Sequence, residues 1–411
     1  MLVEARNYRN IIIHTSSPTL RGDAELAGEI KAHQPDTLIG FVGAQAAVLP
    51  GETLQASEAI DWVGRREFDY TCVEVAQGKP LAQVAGLSFR KDGQVVHNPE
   101  RALIANFDEM PSVMDVYKRD LKIENYFVGY LKHPYVSHYT GRGCPAKCTF
   151  CLWPQTIGGH RYRTRSPQSV FREMKHAKSL FPQVKEFFFD DDTFTAYQPR
   201  AREIAVRLGS LGITWSCNAR ANVNRETLRL MKENGLRLLL VGYETGSQPI
   251  LDNIKKGVRV EQAETFTRHC RELGITIHGT FILGLPGETL QTIEETIEFA
   301  KRLDLFSIQV SLAAPYPGTE LYEQAIANGW LKPGTELVGE EGEQLAALEY
   351  RDLSQREIFE AVERFYKRYY LRWTPILRML WTMLQDGETM KRRLREGREF
   401  FQFLRLRSRG G

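Results

Sequence analysis

The 411-residue sequence has few cysteines, no long apolar run and little net charge. Six cysteines are too sparse for a disulfide scaffold, and a close group of them in a reducing compartment more often binds a metal. No stretch approaches the roughly 18 uninterrupted apolar residues of a membrane span, and residues 1–6 lack the apolar run of a signal peptide. A formal charge of +3 is too near neutral to argue by itself for a nucleic-acid partner. We therefore expect a cytoplasmic protein.

The overall amino-acid composition is that of an ordinary globular protein. Hydrophobic residues make up 42% and charged residues 26%, which excludes both disorder and a fibrous repeat. At roughly 150 residues per domain, the length predicts two to three domains.

The first 110 residues predict a small α/β domain followed by a linker. Apolar runs at 10–15 and 37–42 flank a segment of helical spacing at 24–31, which is the pattern of a βαβ unit. A further run at 61–63 precedes an alternating pair of strands around the Asp92-Gly93 turn.

From residue 130 to residue 330, apolar strands alternate with amphipathic helices. Six strands are predicted, at 135–140, 186–190, 213–218, 236–243, 276–283 and 306–312. Ser166-Pro167 and Asn224 are typical helix starts. Six consecutive βα units predict a parallel sheet curved into a partial (β/α)6 TIM-like barrel, with its chemistry at the carboxyl ends of the strands.

Three cysteines follow the first of these strands, in Gly141-Arg-Gly-Cys144-Pro-Ala-Lys-Cys148-Thr-Phe-Cys151. Two further cysteines at fixed offsets arise by chance on the order of 0.001, so the motif is strong. Zinc would need a fourth ligand, which no nearby His or Cys pair offers. Three thiolates suit a four-iron cluster that leaves one iron open, because such clusters are ordinarily held by four cysteines.

The alternative is a closed zinc or iron–sulfur site completed by a distant cysteine, Cys72, Cys217 or Cys270. Cys217 lies in a strand pattern and Cys270 in a helix pattern, which favours buried thiols for both.

The spacing Cys-x3-Cys-x2-Cys, with Phe150 before the last cysteine, resembles the radical S-adenosylmethionine superfamily. The resemblance implies a 4Fe–4S cluster on Cys144, Cys148 and Cys151, with S-adenosylmethionine bound to the open iron. It implies that an electron from the cluster cleaves this cofactor to a 5'-deoxyadenosyl radical, which abstracts hydrogen from the substrate. An electron donor such as flavodoxin or ferredoxin is then expected.

By the same resemblance, S-adenosylmethionine contacts are expected at Phe150, Asp191, Glu244 and Gly284. Asp191 ends the second strand within three adjacent aspartates, for which a solvated helix cap is the alternative. Glu244 ends the fourth strand and matches a family glutamate near the ribose or methionine portion. Gly284 belongs to a segment like the one beside adenine, where backbone must approach a planar ring closely.

Residues of the N-terminal domain, together with Pro315-Tyr-Pro-Gly318-Thr319, are similar to the cobalamin-binding branch of the superfamily. The resemblance implies that residues 1–110 are an incomplete cobalamin-binding Rossmann-like domain, in which the first βαβ portion and an Asp-x-His-x-x-Gly motif are missing. Cobalamin is therefore an open expectation. His14 is the nearest ligand by type, with a structural histidine as the alternative.

Within that branch, the segments 61–70 and 151–155 resemble the hopanoid-associated subgroup. This implies ring contraction of an amino sugar on bacteriohopanetetrol to a cyclitol ether, with a hopanoid lipid glycoside as substrate. The alternatives are a cobalamin-dependent methyltransferase, a tRNA-modifying enzyme, and a non-catalytic iron–sulfur electron carrier or sensor.

Residues 331–411 predict a helical C-terminal region, with a capping box from Ser354 to Glu357. Residues 361–411 hold 13 Lys and Arg against five Asp and Glu. Nine aromatic residues are interleaved with them, including Trp373, Trp381, Phe400, Phe401 and Phe403. This pattern suits peripheral contact with the inner membrane, while a solvated helical cap and an RNA-binding tail are the alternatives. We expect no nucleic-acid partner.

Overall fold

The computed structural model describes residues 8–339, 342–385 and Arg398, and the chain divides into two compact units. The first unit comprises Met1–Pro111, Gly141–Arg165 and Pro315–Gly329. The second comprises Ser112–Thr140, Ser166–Ala314 and Trp330–Gly411. The segment with the three clustered cysteines thus belongs to the same compact unit as the N-terminal domain.

The first unit contains a five-stranded sheet in the order β1-β2-β3-β4-β5. Its strands are β1 (Asn10–His14), β2 (Leu38–Val42), β3 (Trp62–Gly64), β4 (Leu87–Lys91) and β5 (Gln94–His97). Strands β1 to β3 are parallel, and β4 and β5 form the predicted antiparallel hairpin. Its first helices are α1 (Leu20–His33), α2 (Ala44–Val48), α3 (Pro50–Gln55) and α4 (Asp69–Ala76). The predicted βαβ unit is therefore present.

Close packing of β2 against β3 explains one glycine of this sheet. A Cβ atom at Gly40 would lie 2.1 Å from the Trp62 ring, which is fully buried. Ala27, Ile39 and Phe41 belong to a small core between α1 and the sheet, while Trp62 packs in a second core with Val42. The same unit also holds the short ribbon of β7 (Gly141–Arg142) and β8 (Arg163–Thr164), and helix α12 (Glu320–Ala327).

The second unit is built on a six-stranded parallel sheet in the order β13-β12-β11-β10-β9-β6. The strands are β6 (Tyr135–His138), β9 (Glu186–Phe189), β10 (Trp215–Ala219), β11 (Leu236–Glu244), β12 (Thr276–Leu283) and β13 (Ser307–Leu312). All six predicted strands are present, and every pairing is parallel. The expected α/β class with a partial (β/α)6 arrangement is confirmed, and among the described residues β6 and β13 each pair with one strand, so the sheet is open.

Helices precede and connect these strands, and α6 and α8 start where the sequence predicts. They are α5 (Met114–Asp120), α6 (Pro167–Leu180), α7 (Gln198–Gly209), α8 (Arg225–Glu233), α9 (Gln248–Asn253), α10 (Val260–Glu272) and α11 (Leu290–Leu303). Ser166 caps α6 and Asn224 caps α8, because each side chain accepts a hydrogen bond from a first-turn amide. Parallel strands joined in this way place all their carboxyl ends at one edge of the sheet.

The outer edge of β13 is covered by side chains instead of another strand. Tyr370, Tyr366 and Gln344 accept hydrogen bonds from the backbone amides of Ile308, Val310 and Leu312, at 2.9, 2.8 and 2.9 Å. Gln344 also donates to the Leu312 carbonyl at 2.7 Å. Alternate amides of the exposed edge are thereby satisfied, which removes a template for unwanted strand pairing.

The two tyrosines lie on helix α13 (Gln355–Tyr370), which is followed by α14 (Trp373–Gln385). The capping box between Ser354 and Glu357 is confirmed. No helix among the described residues is long and apolar enough to cross a bilayer. Phe400, Phe401 and Phe403, for which membrane contact is predicted, lie outside the described residues, and so does the side chain of Trp381.

Candidate functional site

The three clustered cysteines lie on the loop that the β7–β8 ribbon closes in the first unit. Cys144 and Cys148 are buried, Cys151 is half-buried, and none of the three forms a disulfide. Gly143 has φ of +86°, and a Cβ atom there would lie 2.4 Å from the Arg161 carbonyl oxygen. Glycine is thus needed for the loop to fold back on itself. Three cysteine side chains on one loop are a donor set that fits a thiolate-held cluster.

Two bidentate ion pairs fasten this loop to the N-terminal domain of the same unit. Arg142 binds Asp69 at 2.5 and 2.9 Å, and Arg163 binds the buried Glu67 at 2.8 and 2.6 Å. Both guanidinium groups also lie 5.5 Å from the Phe107 ring centroid. The sequence analysis noted the segment 61–70, but it did not show that Glu67 and Asp69 anchor the cysteine loop. Bidentate geometry fixes orientation as well as distance, so the ribbon is held rigidly.

Gln155 organises the backbone of the cysteine loop from within the π-helical turn Pro154–Gly158. Its Nε2 contacts the carbonyl oxygens of Cys148, Thr149 and Cys151 at 3.3, 3.1 and 2.8 Å. Its Oε1 accepts a hydrogen bond from the Glu320 amide, at the start of α12, at 2.9 Å. A trans peptide bond points its C=O and N–H groups in opposite directions. The N–H groups that follow these three carbonyls therefore point away from the Gln155 side chain. Sequence reasoning missed this role, since a lone glutamine carries no pattern.

The remaining cysteines have the character of structural thiols. Burial raises the pKa of Cys72 to about 12, and it raises the pKa of Cys217 and of Cys270 as well. Thiols held in this way stay protonated, whereas a metal ligand must ionise. Among the described residues, no three His, Cys, Asp or Glu side chains meet closely enough to hold one metal ion. A four-iron cluster does not need such convergence, because each cysteine binds a different iron.

At the carboxyl edge of the second unit's sheet, Asp191 is fully buried. Its carboxylate accepts hydrogen bonds from the Thr140 amide at 2.5 Å and from the Thr140 hydroxyl at 2.6 Å. It therefore fixes the end of the first strand of this sheet. The neighbouring Asp190 accepts hydrogen bonds from Tyr139 Oη and Asn218 Nδ2, and burial raises the pKa of Asp190. Asp191 thus has a buried set of partners, and its contact with S-adenosylmethionine stays a prediction.

Glu244 ends β11 in a strained conformation, with φ of +65° beyond an irregularity in the β11–β12 register. Its buried carboxylate forms an ion pair with the buried Lys256 at 2.5 Å. Gly242 makes room for this pair, because a Cβ atom there would lie 2.3 Å from Glu244 Oε1 and 3.0 Å from Lys256 Nζ. Arg220 donates to the Lys256 carbonyl. Bulges and left-handed non-glycine residues concentrate at functional sites, which supports interest in Glu244.

Gly284 follows β12 with φ of +84°, and its amide donates to Glu288 Oε2 at 2.6 Å. The Gly284 carbonyl accepts a hydrogen bond from Tyr350 Oη at 2.8 Å. Burial raises the pKa of Glu288 to about 8, and Glu288 Oε1 is buried without a hydrogen-bond partner. The turn after β12 is therefore held by a carboxyl group that is neutral near pH 7. Sequence reasoning named Gly284 but missed Glu288.

At the carboxyl edge of the first unit's sheet, the exposed ring of His14 ends β1. It lies 6.3 Å from the ring centroid of Trp153 and 6.2 Å from that of Phe68. Gly43 follows β2 with φ of +112°, and a Cβ atom there would lie 3.1 Å from the His14 ring. Trp153, which is 45% exposed, comes two residues after Cys151. This edge and the cysteine loop are thus neighbours within one unit.

The predicted site residues are divided between the two units. Cys144, Cys148, Cys151 and the half-buried Phe150 belong to the first, while Asp191, Glu244 and Gly284 belong to the second. In the second unit, the last three lie at the carboxyl ends of β9, β11 and β12, as the sequence predicts for a parallel sheet. Their assignment as cluster ligands and cofactor contacts stays a prediction.

Residues 139–300 match the Radical SAM superfamily. An uncharacterized methyltransferase from Pyrococcus horikoshii is 33% identical over 336 residues, which cover 78% of this chain and 70% of that protein. Cytidylyl-2-hydroxyethylphosphonate methyltransferase from Streptomyces wedmorensis is 27% identical over 325 residues, which cover 67% of this chain and 60% of that protein.

A solved structure of the cobalamin-dependent S-adenosylmethionine radical enzyme OxsB, with aqua-cobalamin and S-adenosylmethionine bound, has a similar fold. Its TM-score is 0.69 at 16% identity, and the match covers 98% of this chain and 64% of that one. The family match and the relative from Pyrococcus together identify the chain. It belongs to the radical SAM superfamily, whose members use a 4Fe–4S cluster and S-adenosylmethionine.

Proposed function

We propose that this protein is a cobalamin-dependent radical SAM methyltransferase. The observation that carries the proposal is that one compact unit joins the cysteine loop to the carboxyl edge of a parallel half-Rossmann sheet. Ligands of open α/β sheets bind outside the carboxyl ends of the strands. A corrinoid bound at that edge would therefore lie beside the loop that carries Cys144, Cys148 and Cys151.

The residues at this edge fit a large planar ligand. His14 and Trp153 leave ring surface open to solvent, and Gly43 keeps the turn after β2 free of a side chain. We assign Trp153 and His14 to the cobalamin contact and the three clustered cysteines to the iron–sulfur cluster. When bound, the cluster would supply a reducing electron, S-adenosylmethionine would supply the methyl group, and cobalamin would carry it. The protein's own part is to hold the loop rigid through the Arg142 and Arg163 ion pairs, and to orient the loop carbonyls through Gln155.

Methyl transfer is a better-supported reaction than the ring contraction expected from the sequence. Both curated relatives described above are named methyltransferases. The chain covers 70% and 60% of their lengths, so the activity of the whole protein belongs to the proposal. A hopanoid glycoside substrate, a flavodoxin or ferredoxin donor and contact with the membrane stay predictions. The electron-carrier alternative is set aside, because the superfamily consists of enzymes.

The nucleoside products distinguish methyl transfer from ring contraction. Loss of a methyl group from S-adenosylmethionine leaves S-adenosylhomocysteine, whereas radical cleavage leaves 5'-deoxyadenosine and methionine. A radical methyltransferase that uses both reactions releases both nucleosides, and a ring contraction releases 5'-deoxyadenosine alone. The assay uses anaerobically reconstituted protein, hydroxocobalamin, dithionite, labelled S-adenosylmethionine and a hopanoid-containing bacterial lipid extract.

We expect corrinoid to stay bound through gel filtration, both nucleosides to form, and label to enter a lipid. Cys148→Ala should abolish both products, while Cys72→Ala, a matched change at a structural thiol, should retain them. His14→Ala and Trp153→Ala should lower corrinoid retention relative to His33→Ala. Formation of 5'-deoxyadenosine without S-adenosylhomocysteine, or failure to retain corrinoid, would overturn the proposal.

A further inference from the structure

Helix α14 is attached to the second unit through arginine side chains. Arg378 donates to the Leu305 carbonyl at 2.5 Å and pairs with Asp304 at 2.8 Å. Arg372, which precedes the helix, donates to the Lys301 carbonyl at 3.0 Å and lies 4.6 Å from the Tyr369 ring centroid. Asp304, which has a left-handed backbone conformation at the end of α11, forms ion pairs with both arginines. The polar groups of this segment are thus used to hold the helix on the protein.

Apolar side chains of the same helix are exposed. Trp373, Leu377 and Leu380 are 80%, 60% and 51% exposed, and their spacing of four and three residues places them on one helical face. Leu371, just before the helix, is 65% exposed. A surface helix of a globular protein normally turns its apolar stripe towards the core. Here that stripe faces outward, and such patches mark interaction surfaces.

We propose that this apolar stripe of α14, Trp373, Leu377 and Leu380, docks the protein on the surface of an anionic lipid bilayer. Trp and Leu beside basic residues are the composition of helices that lie in the interface. Residues 386–411, which follow the helix in the sequence, contain eight Lys and Arg against four Asp and Glu. That excess complements acidic headgroups, which attract basic segments next to a membrane-lying helix.

The dimensions of the stripe also favour a lipid surface over a second copy of the chain. A 13-residue helix is too short to span a bilayer but suits a helix lying in its interface. The stripe and Leu371 together supply four residues, far fewer than the roughly 20–30 residues that each partner contributes to a stable protein interface. The described arginines Arg368, Arg372 and Arg378 are already paired with acidic side chains, which leaves the apolar face as the primary contact. The docking does not depend on the proposed methyl transfer.

Vesicle co-sedimentation of the full chain tests the proposal. Extruded vesicles of phosphatidylcholine alone are compared with vesicles of equal parts phosphatidylcholine and phosphatidylglycerol, at low and high salt. The test variant is Trp373→Ser with Leu377→Ser. The matched control is Val206→Ser with Ile326→Ser, because these residues are similarly exposed at 54% and 53% on other helices. Circular dichroism checks the fold of each variant, and light scattering gives its oligomeric state.

We expect the wild-type protein and the control to bind anionic vesicles at least tenfold more tightly than neutral ones, with weaker binding at high salt. The stripe variant should lose at least tenfold in partitioning while it stays folded. Equal binding of the stripe variant and wild type would overturn the proposal, as would the absence of vesicle binding by the wild type. A wild-type dimer that the stripe variant abolishes, without vesicle binding, would assign the face to a second copy instead.

Discussion

Replacement of Gln155 by glutamate should loosen the cysteine loop without changing its shape. The two side chains are nearly isosteric, but a carboxylate cannot donate to the carbonyls of Cys148, Thr149 and Cys151, while it can still accept from the Glu320 amide. The two Nε2 hydrogens supply two full hydrogen bonds at about 0.5–1.5 kcal/mol each. The negative charge placed among carbonyl oxygens adds a further penalty, so we expect a loss of about 2–3 kcal/mol in loop stability. That corresponds to roughly 30–150-fold more frequent opening of the loop.

The readout is iron retention by anaerobically reconstituted protein challenged with a chelator, followed by absorbance. Gln155→Glu should release iron at least tenfold faster than the wild type. Hydrogen exchange of residues 144–155 in the metal-free protein should rise in parallel. Gln168→Glu is the matched control, because Gln168 is an exposed glutamine of α6, in the second unit, whose Oε1 accepts a hydrogen bond from Arg207. If folded Gln155→Glu kept its iron as long as the control, the carbonyl network would not be what stabilises the loop.

Three further predictions concern buried groups. The folded-state pKa of Glu288 is raised to about 8 against 4.5 in the unfolded chain, so wild-type stability should fall as pH rises between those values. The melting temperature of Glu288→Gln relative to wild type should accordingly rise from pH 5 to pH 8, and a pH-independent difference would contradict this. Arg163→Met leaves the buried Glu67 with the Ile104 amide and a distant Arg142 guanidinium at 3.9 Å as its remaining partners, and it should cost about 3–5 kcal/mol in urea unfolding. The more exposed Arg142→Met should cost about 1 kcal/mol or less. Tyr370→Phe should speed amide exchange at Ile308 by about tenfold, because the hydroxyl that accepts its N–H is lost, and unchanged exchange would refute the edge-covering role.

Local signals were sufficient for the six strands of the second unit and for three of the helix starts. Each of the six strands of the second unit is a short apolar run, and strand periodicity needs no partner to be visible. Ser166, Asn224 and Ser354 cap their helices as predicted, because a capping side chain bonds only to the next turn. The three clustered cysteines were equally visible, since their spacing is local.

The partners of the site residues could not be predicted in the same way. Lys256 pairs with Glu244 across 12 residues, Glu67 with Arg163 across 96, and Gln155 with Glu320 across 165. None of these pairs has a sequence period, because they form only where separate elements meet. The grouping of the cysteine loop with the N-terminal sheet is likewise a property of packing.

The sequence by itself thus determined the α/β class, the six-strand order of elements, the cysteine motif and the membership of the superfamily that this motif indicates. Only the tertiary structure decided which carboxylates are buried and paired, why Gly242 must lack a side chain, and that α14 shows its apolar face to solvent. The physical reason is range. Turns, caps and strands follow from neighbours in the chain, whereas burial, ion pairing and the exposure of a helix face depend on what residues far apart in sequence place beside it.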